Sequence, residues 1–315
     1  MMKLKNLVEN FDLVRYALRF YSHDADSLDS LLPRFRISSN AVYPYMNRGQ
    51  LCFLRMAPLE EKNPAHVKAE IDFIQYLRAH DYPAMQPIPG KDGRLTFCLD
   101  SPWGEYTVSS FAAVSGTQIG NTPLTTDIVY AYGRSLGQLH LLSSNYKPSL
   151  VRPAWNEVLN RDVLMDVQAS PAVIAAYQKL FASLADLPTD ANCYGLIHYD
   201  FEPDNVFWDS NRRAISVIDF DDCLYSWYAM DIAQALNELD DEWFPSFLAG
   251  YRSIFPFTAK QEATLTLMQR YIALRSYARM KHCLSEALPN PPDWMAELRI
   301  FLEGKLNNLE RTITQ

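Results

Sequence analysis

Residues 196–220 read LIHYDFEPDNVFWDSNRRAISVIDF, and they limit the fold more than any other part of the chain. His198, Asp200 and Asn205 fall on a short polar segment. Pro203 lacks a backbone donor and opposes helix, so this segment reads as an ordered loop. Ile215, Val217, Ile218 and Phe220 are β-branched or aromatic, so residues 214–220 read as a buried strand that carries Asp219 to its tip. A fold built around this stretch sets a carboxylate and an amide on a loop beside a strand that ends in a second carboxylate. A hydroxyl-activating base, an amide oxygen and a second carboxylate at these intervals are the parts of a metal-assisted phosphoryl-transfer site.

The flanking chain divides by periodicity. Leu4, Leu7, Val8, Phe11, Val14, Leu18 and Tyr21 recur at three-and-four spacing and predict an amphipathic helix over 4–21. From residue 34 to 58 the period is two, with Asn47-Arg48-Gly49 as a hairpin turn between two strands. A helix follows from Pro64 through Leu77. Residues 95–99 and 106–111 then read as further strands around Trp103-Gly104, completing a small antiparallel sheet. Thr125-Thr126-Asp127 caps a helix whose apolar face is Ile128, Tyr132, Leu136, Leu139 and Leu142. Residues 154–187 are helical in pattern, with Pro171 starting a second segment. Helical periodicity resumes over 227–239 and in segments from 243 to the end, broken at Pro256 and at the LPNPPD turn of 288–293.

The sequence HYDFEPDN resembles the catalytic-loop pattern H-G-D-x-x-x-x-N of the aminoglycoside phosphotransferase and choline kinase family. Tyr199 stands where the family usually has glycine. IDFDD resembles its metal-binding strand, the counterpart of D-F-G in protein kinases, and YAMDIA resembles its D-L-A. The resemblance implies an α+β, two-lobed, protein-kinase-like fold. A small N-terminal lobe, residues 1–115, would hold an antiparallel sheet plus a helix; a larger, mainly helical lobe, 116–315, would begin near Gly116. It also implies ATP and Mg²⁺, with Asp200 accepting or orienting the proton of a substrate hydroxyl and Asn205 and Asp219 holding the metal.

Other roles follow from position within that resemblance. Ser39 and Asn40 lie in the nucleotide-covering loop, where backbone N–H groups would face the phosphates; a plain solvated turn is the alternative. Arg55 stands where kinase-like folds place the cation for the α- and β-phosphates, and Glu70 is its expected carboxylate. Residues 111–116 correspond to the hinge, so the backbone near Phe111 and Ala113 would meet the adenine. Strand alternation would put Asp219 and Asp221 on one face and turn Asp222 away. Asp231 and His198 read as scaffold, braced on backbone groups, and His140 as a packed helix histidine. Glu202 and Asp204 lie inside the loop between His198 and Asn205, where each is either solvated or turned toward the acceptor, the solvated state being favoured. The acidic run Glu238-Leu239-Asp240-Asp241-Glu242 is either a solvated helix end or a contact for a cationic acceptor.

Composition removes several classes. The net charge of −8 argues against nucleic acid or an anionic membrane as the main partner. Five scattered cysteines with no C-x-x-C pair fit neither a disulfide framework nor a zinc site and suit a reducing cytoplasm. No segment approaches the roughly 20 apolar residues of a spanning helix, and the charged N-terminal stretch has no secretory h-region. The leading expectation is an ATP-dependent kinase acting on a small-molecule hydroxyl, with amino alcohols, choline, aminoglycosides and other antibiotics as candidate acceptors. A protein Ser/Thr kinase and a nucleotide-binding pseudokinase are the alternatives, and the oligomeric state is left open.

Overall fold

Asn10 interrupts the first helical pattern. Its side chain accepts from Leu13 N at 2.9 Å, and α1 (Phe11–Leu18) starts there. Leu4 and Leu7 therefore sit outside that helix, at a separate turn, and pack with Cys283, Met295 and Leu302 near the other end of the chain. The expected single helix over 4–21 is corrected accordingly. The structure, a computed structural model, describes residues 1–165 and 169–314.

After the one-turn α2 (Leu28–Leu31), the period-two region folds as β1 (Arg36–Ile37), β2 (Ala41–Asn47) and β3 (Gln50–Pro58). Asn47 pairs with Gln50, leaving a two-residue loop in which Arg48 and Gly49 both have positive φ, 51° and 78°. That is the turn whose twist suits a tight hairpin. α3 (Pro64–Ala79) begins at a proline, capped by Asn63. β4 (Thr96–Ser101) and β5 (Gly104–Ala112) complete an antiparallel sheet of order β1-β2-β3-β5-β4. Leu13, Val14 and Leu18 of α1 share one core with Tyr43, Tyr45 and Leu54 of this sheet.

The chain then leaves the sheet. Gly116 has φ 101°, and a Cβ there would lie 2.5 Å from Trp208 O, so only glycine fits the crossing. Five short strands follow: β6 (Thr117–Gln118), β7 (Tyr194–Ile197), β8 (Val206–Asp209), β9 (Ala214–Val217) and β10 (Leu224–Trp227). β6, β8 and β9 form one sheet, and β7 pairs with β10. Helices supply the rest: α4 (Thr126–Ser143), α5 (Trp155–Asn160), α6 (Pro171–Ala185), α7 (Tyr228–Asn237), α8 (Phe244–Arg252), α9 (Ala259–Glu262), α10 (Leu265–Leu284) and α11 (Asp293–Thr314). The helical pattern of 154–187 is met by α5, a π-turn at Arg161–Met165 and α6, while 166–168 lie outside the described residues. The fold is thus an α+β one, with an N-terminal sheet and a mainly helical C-terminal part.

α4 and α8 touch through two glycines. A Cβ on Gly133 would come within 2.0 Å of Phe247 O, and one on Gly250 within 2.0 Å of Tyr130 O. Since α4 carries His140, which meets Asp231, and Tyr132, which donates to Phe201 O, this close packing also sets the floor under the loop that follows β7. Gly250→Ala is expected to lower unfolding stability by about 1–3 kcal/mol, read by urea denaturation, through forced separation of the two helices. An unchanged midpoint would contradict this packing.

Candidate active site

The loop after β7 owes its shape to one buried carboxylate. Asp231, on α7, accepts from His198 N at 2.8 Å and Tyr199 N at 2.6 Å, and meets His140 Nε2 at 3.1 Å. Tyr199 is thereby held at φ 64°, a conformation costly for a bulky residue by about 1–3 kcal/mol. This explains why glycine suits the position, and why tyrosine needs a second anchor: its ring lies 4.0 Å from the Arg275 guanidinium. His198 Nδ1 accepts from Asp200 N at 3.2 Å while Nε2 donates to Ile218 O at 3.0 Å. Burial depresses both His198 and His140, so both are neutral struts.

Asp200 emerges from this scaffold half-buried, with Asn205 Nδ2 donating to its Oδ2 at 2.8 Å and to its carbonyl at 2.9 Å. The Asn205 amide oxygen is left over by these bonds. Ile218 N donates to Asn205 O at 2.9 Å, which sets Asp219 beside the loop. The strand reading of 214–220 needs correction here. β9 stops at Val217, and Asp219 has φ 61°, a left-handed conformation that aspartate tolerates but a ladder does not. Strand alternation therefore does not govern where Asp219, Asp221 and Asp222 point.

Their partners do. Asp221 takes Asn40 Nδ2 at 3.0 Å and Lys62 Nζ on the same oxygen. Asp222, expected to face away, binds Arg275 Nη2 at 3.2 Å and Arg279 Nη1 at 2.6 Å. Arg152 fixes the intervening backbone, donating to Asp221 O and Cys223 O at 2.6 and 2.7 Å. Burial alone would raise both carboxyls; Lys62 and Arg55 outweigh it at Asp221, holding it near about 2, and Arg279 and Arg275 outweigh it at Asp222. Asp219 is the opposite case. Burial and the Asp221 charge push it up to about 6 against the pull of Arg55. Asp200 is also pushed well up, by burial and then by Asp222, Glu202 and Asp219.

Arg55 and Glu70 form a two-pronged buried pair, Nη1–Oε1 2.8 Å and Nη2–Oε2 2.7 Å, with the guanidinium 4.8 Å from the Phe111 ring centroid. Phe111 thus backs the arginine. Ala113 N donates to Leu51 O at 2.9 Å, so that N–H is taken and is not a group that would meet a nucleobase. Ser39 Oγ accepts from Arg279 Nη2 at 2.8 Å, and the buried Asn40 is turned onto Asp221. Glu202 is not simply solvated, for it is half-buried and accepts from Gln234 Nε2 at 3.0 Å, whereas Asp204 is exposed. A cavity of about 650 Å³ is walled by Ser39, Lys62, Asp221, Asp222, Arg275 and Arg279; Arg55, Asp200, Asn205, Asp219 and the acidic run at 238–242 are not part of its wall. Lys62, Arg275 and Arg279 were invisible as site residues in the sequence; the one local sign was the four-residue spacing of the two arginines.

Among the described residues, no group of three or more His, Cys, Asp or Glu side chains is arranged to hold a metal ion. The donors at hand are one carboxylate, Asp219, and one amide oxygen, Asn205. Both are hard ligands, and the raised pKa of the half-buried Asp219 marks an anion short of positive charge. That set suits Mg²⁺, which keeps few protein ligands and completes its shell with phosphate and water.

The sequence matches the model of a family described as "Phosphotransferase enzyme family" over residues 39–260. A curated relative, amicoumacin kinase of Bacillus subtilis (strain 168), is 24% identical over 279 residues, covering 86% of this chain and 78% of the relative. The structure of an amicoumacin kinase, hAmiN, in complex with AMP-PNP, Ca²⁺ and Ami aligns with TM-score 0.79 at 19% identity, covering 98% of this chain and 95% of the other. That of a microcompartment-associated aminopropanol kinase aligns with TM-score 0.72 at 26% identity, covering 97% and 98%.

The Arg55–Glu70 pair generates a stability prediction. Glu70→Ala leaves a guanidinium buried without its partner and is expected to cost about 3–5 kcal/mol. The double variant Arg55→Met with Glu70→Leu should regain most of that loss in the same denaturation assay, and additive losses would contradict the pairing.

Proposed function

The chain belongs to the phosphotransferase enzyme family, and from that premise we propose that it moves the γ-phosphoryl group of ATP, with Mg²⁺, to a hydroxyl of a small molecule. The observation that carries this reading is the junction of Asp200, Asn205 and Asp219. The Asn205 side chain bonds Asp200, its backbone bonds the residue before Asp219, and Asp231 braces the whole loop from below.

The transition state of phosphoryl transfer is loose, so the protein's work is placement and charge neutralisation. Asp200 receives the acceptor hydroxyl's hydrogen bond and takes its proton late in the transfer. Asn205 holds the Asp200 carboxylate in that direction. Asp219 and the Asn205 amide oxygen would hold Mg²⁺, which when bound neutralises charge on the nucleotide phosphates. Arg55, kept in place by Glu70 and Phe111, lies in the electrostatic field of Asp219 and Asp221 and would take the inner phosphates. Ser39 and Asn40 would present the covering loop to the nucleotide.

The names of the matched proteins, amicoumacin kinase and aminopropanol kinase, favour a small acceptor, an antibiotic or an amino alcohol. A protein acceptor is disfavoured because β10 starts at Leu224, two residues after Asp222, so no long activation-type segment separates the two.

The test is a panel of amino alcohols, choline, homoserine, aminoglycosides and other antibiotics, incubated with Mg²⁺ and labelled ATP. Transfer to at least one small molecule is expected. Asp200→Asn should cut kcat by about 10²–10⁴-fold or more with nucleotide affinity retained. Label entering only protein, or an Asp200→Asn variant as fast as its parent, would contradict the proposal.

A further inference from the structure

α10 lies beyond residues 39–260, so the family match assigns it no role. It nonetheless sends two arginines, one turn apart, to the carboxylate of Asp222, and the two are not equivalent. Arg275 is the buried member, its side chain 7% exposed, stacked on the Tyr199 ring and reaching Asp162 with Nε at 3.4 Å. Arg279 is the open one, its side chain 30% exposed on the cavity wall. Nη1 holds Asp222 at 2.6 Å while Nη2 holds Ser39 Oγ at 2.8 Å, on the loop between β1 and β2. Arg279 is also within electrostatic reach of Asp200, where it works against the upward push of burial and the neighbouring carboxylates.

A cation fixed to Ser39 of the nucleotide-covering loop by one Nη and to Asp222, three residues after Asp219, by the other ties the loop over the nucleotide to the segment that follows the metal-binding carboxylate. Each Nη carries a second N–H besides those given to Asp222 and Ser39. Asp222 holds the guanidinium in place before any ligand arrives, so no reorganisation is needed when charge moves. Resting on the phosphotransferase reading, we propose that Arg279 is a catalytic residue that grips the phosphoryl group as it passes from nucleotide to acceptor. Asp222 is then its positioning residue, and Arg275 with Tyr199 is the strut that keeps Asp222 facing it. The bond made is between the acceptor oxygen and phosphorus; the bond broken is between phosphorus and the bridging oxygen of the leaving nucleoside diphosphate. The hydroxyl proton goes to Asp200, and Arg279 exchanges no proton.

The experiment uses the full chain, Arg279→Ala and Arg279→Lys. Each is titrated with ADP and with a non-hydrolysable ATP analogue in Mg²⁺, then assayed with an acceptor that the parent phosphorylates. For Arg279→Ala, kcat is expected to fall by about 10²–10³-fold. The analogue should bind about tenfold more weakly while ADP affinity stays within about twofold, because only the transferable group meets the guanidinium. Arg279→Lys keeps the charge but not the fork, so its kcat should fall between parent and Arg279→Ala, and added guanidinium ion should restore part of the Arg279→Ala rate. Equal weakening of ADP and analogue, a loss confined to the acceptor KM, or an unchanged kcat would each overturn the inference. Should Arg279→Ala fail to fold, Arg279→Lys decides by the same kcat and ADP-against-analogue comparison. A parent that binds neither nucleotide and phosphorylates nothing defeats the phosphotransferase reading and this inference with it; an active parent matched by an equally active Arg279→Ala defeats this inference alone.

Discussion

A single buried carboxylate, Asp231, organises the site. Its two oxygens take the N–H groups of His198 and Tyr199 and the ring of His140, so the loop after β7 is pinned to α7 and α4 together. Burying that charge is tolerable only because hydrogen bonds satisfy it from several sides. The bonds in turn force Tyr199 into a left-handed backbone, and that bend swings Asp200 out of the core toward Asn205. Close packing of α4 on α8 and neutral histidines above it keep the support rigid.

Charge is distributed around this support in a graded way. Arg55, Lys62, Arg275 and Arg279 satisfy Asp221 and Asp222, whose carboxyls are held well below the usual range. Asp219 and Asp200 are left short of positive charge and pushed up. Adjacent carboxylates thus divide into two that are already paired and two whose environment favours an incoming cation or proton. That division suits a centre where a metal-bound nucleotide meets a hydroxyl.

Local sequence carried the centre itself. Asp200, Asn205 and Asp219 are separated by a proline-bearing loop and a β-branched run, and Arg55 and Glu70 by a turn into a helix, so chemistry and spacing were legible together. What was missed depends on contacts across the fold. Tyr199 and Asp219 adopt positive φ for tertiary reasons, which no strand pattern signals, and this undid the alternation argument for Asp222. β7 and β10 are each four residues long and form a two-stranded ladder, too short to register as strands from composition. Lys62 and Arg279 reach Asp221 and Asp222 from opposite parts of the chain, and Ala113 gives its N–H to Leu51 because the start of β3 runs beside it.

On the proposed function, Asp219 and Asn205 bind a divalent cation only as part of a nucleotide complex set against Asp200. Electron paramagnetic resonance of Mn²⁺ tests it directly, since the free ion's signal disappears on binding. The parent chain should remove Mn²⁺ from solution together with a non-hydrolysable ATP analogue, beyond what the analogue removes alone, and Asp219→Asn should not. Equal uptake by both proteins, or uptake by the parent without nucleotide, would contradict the account.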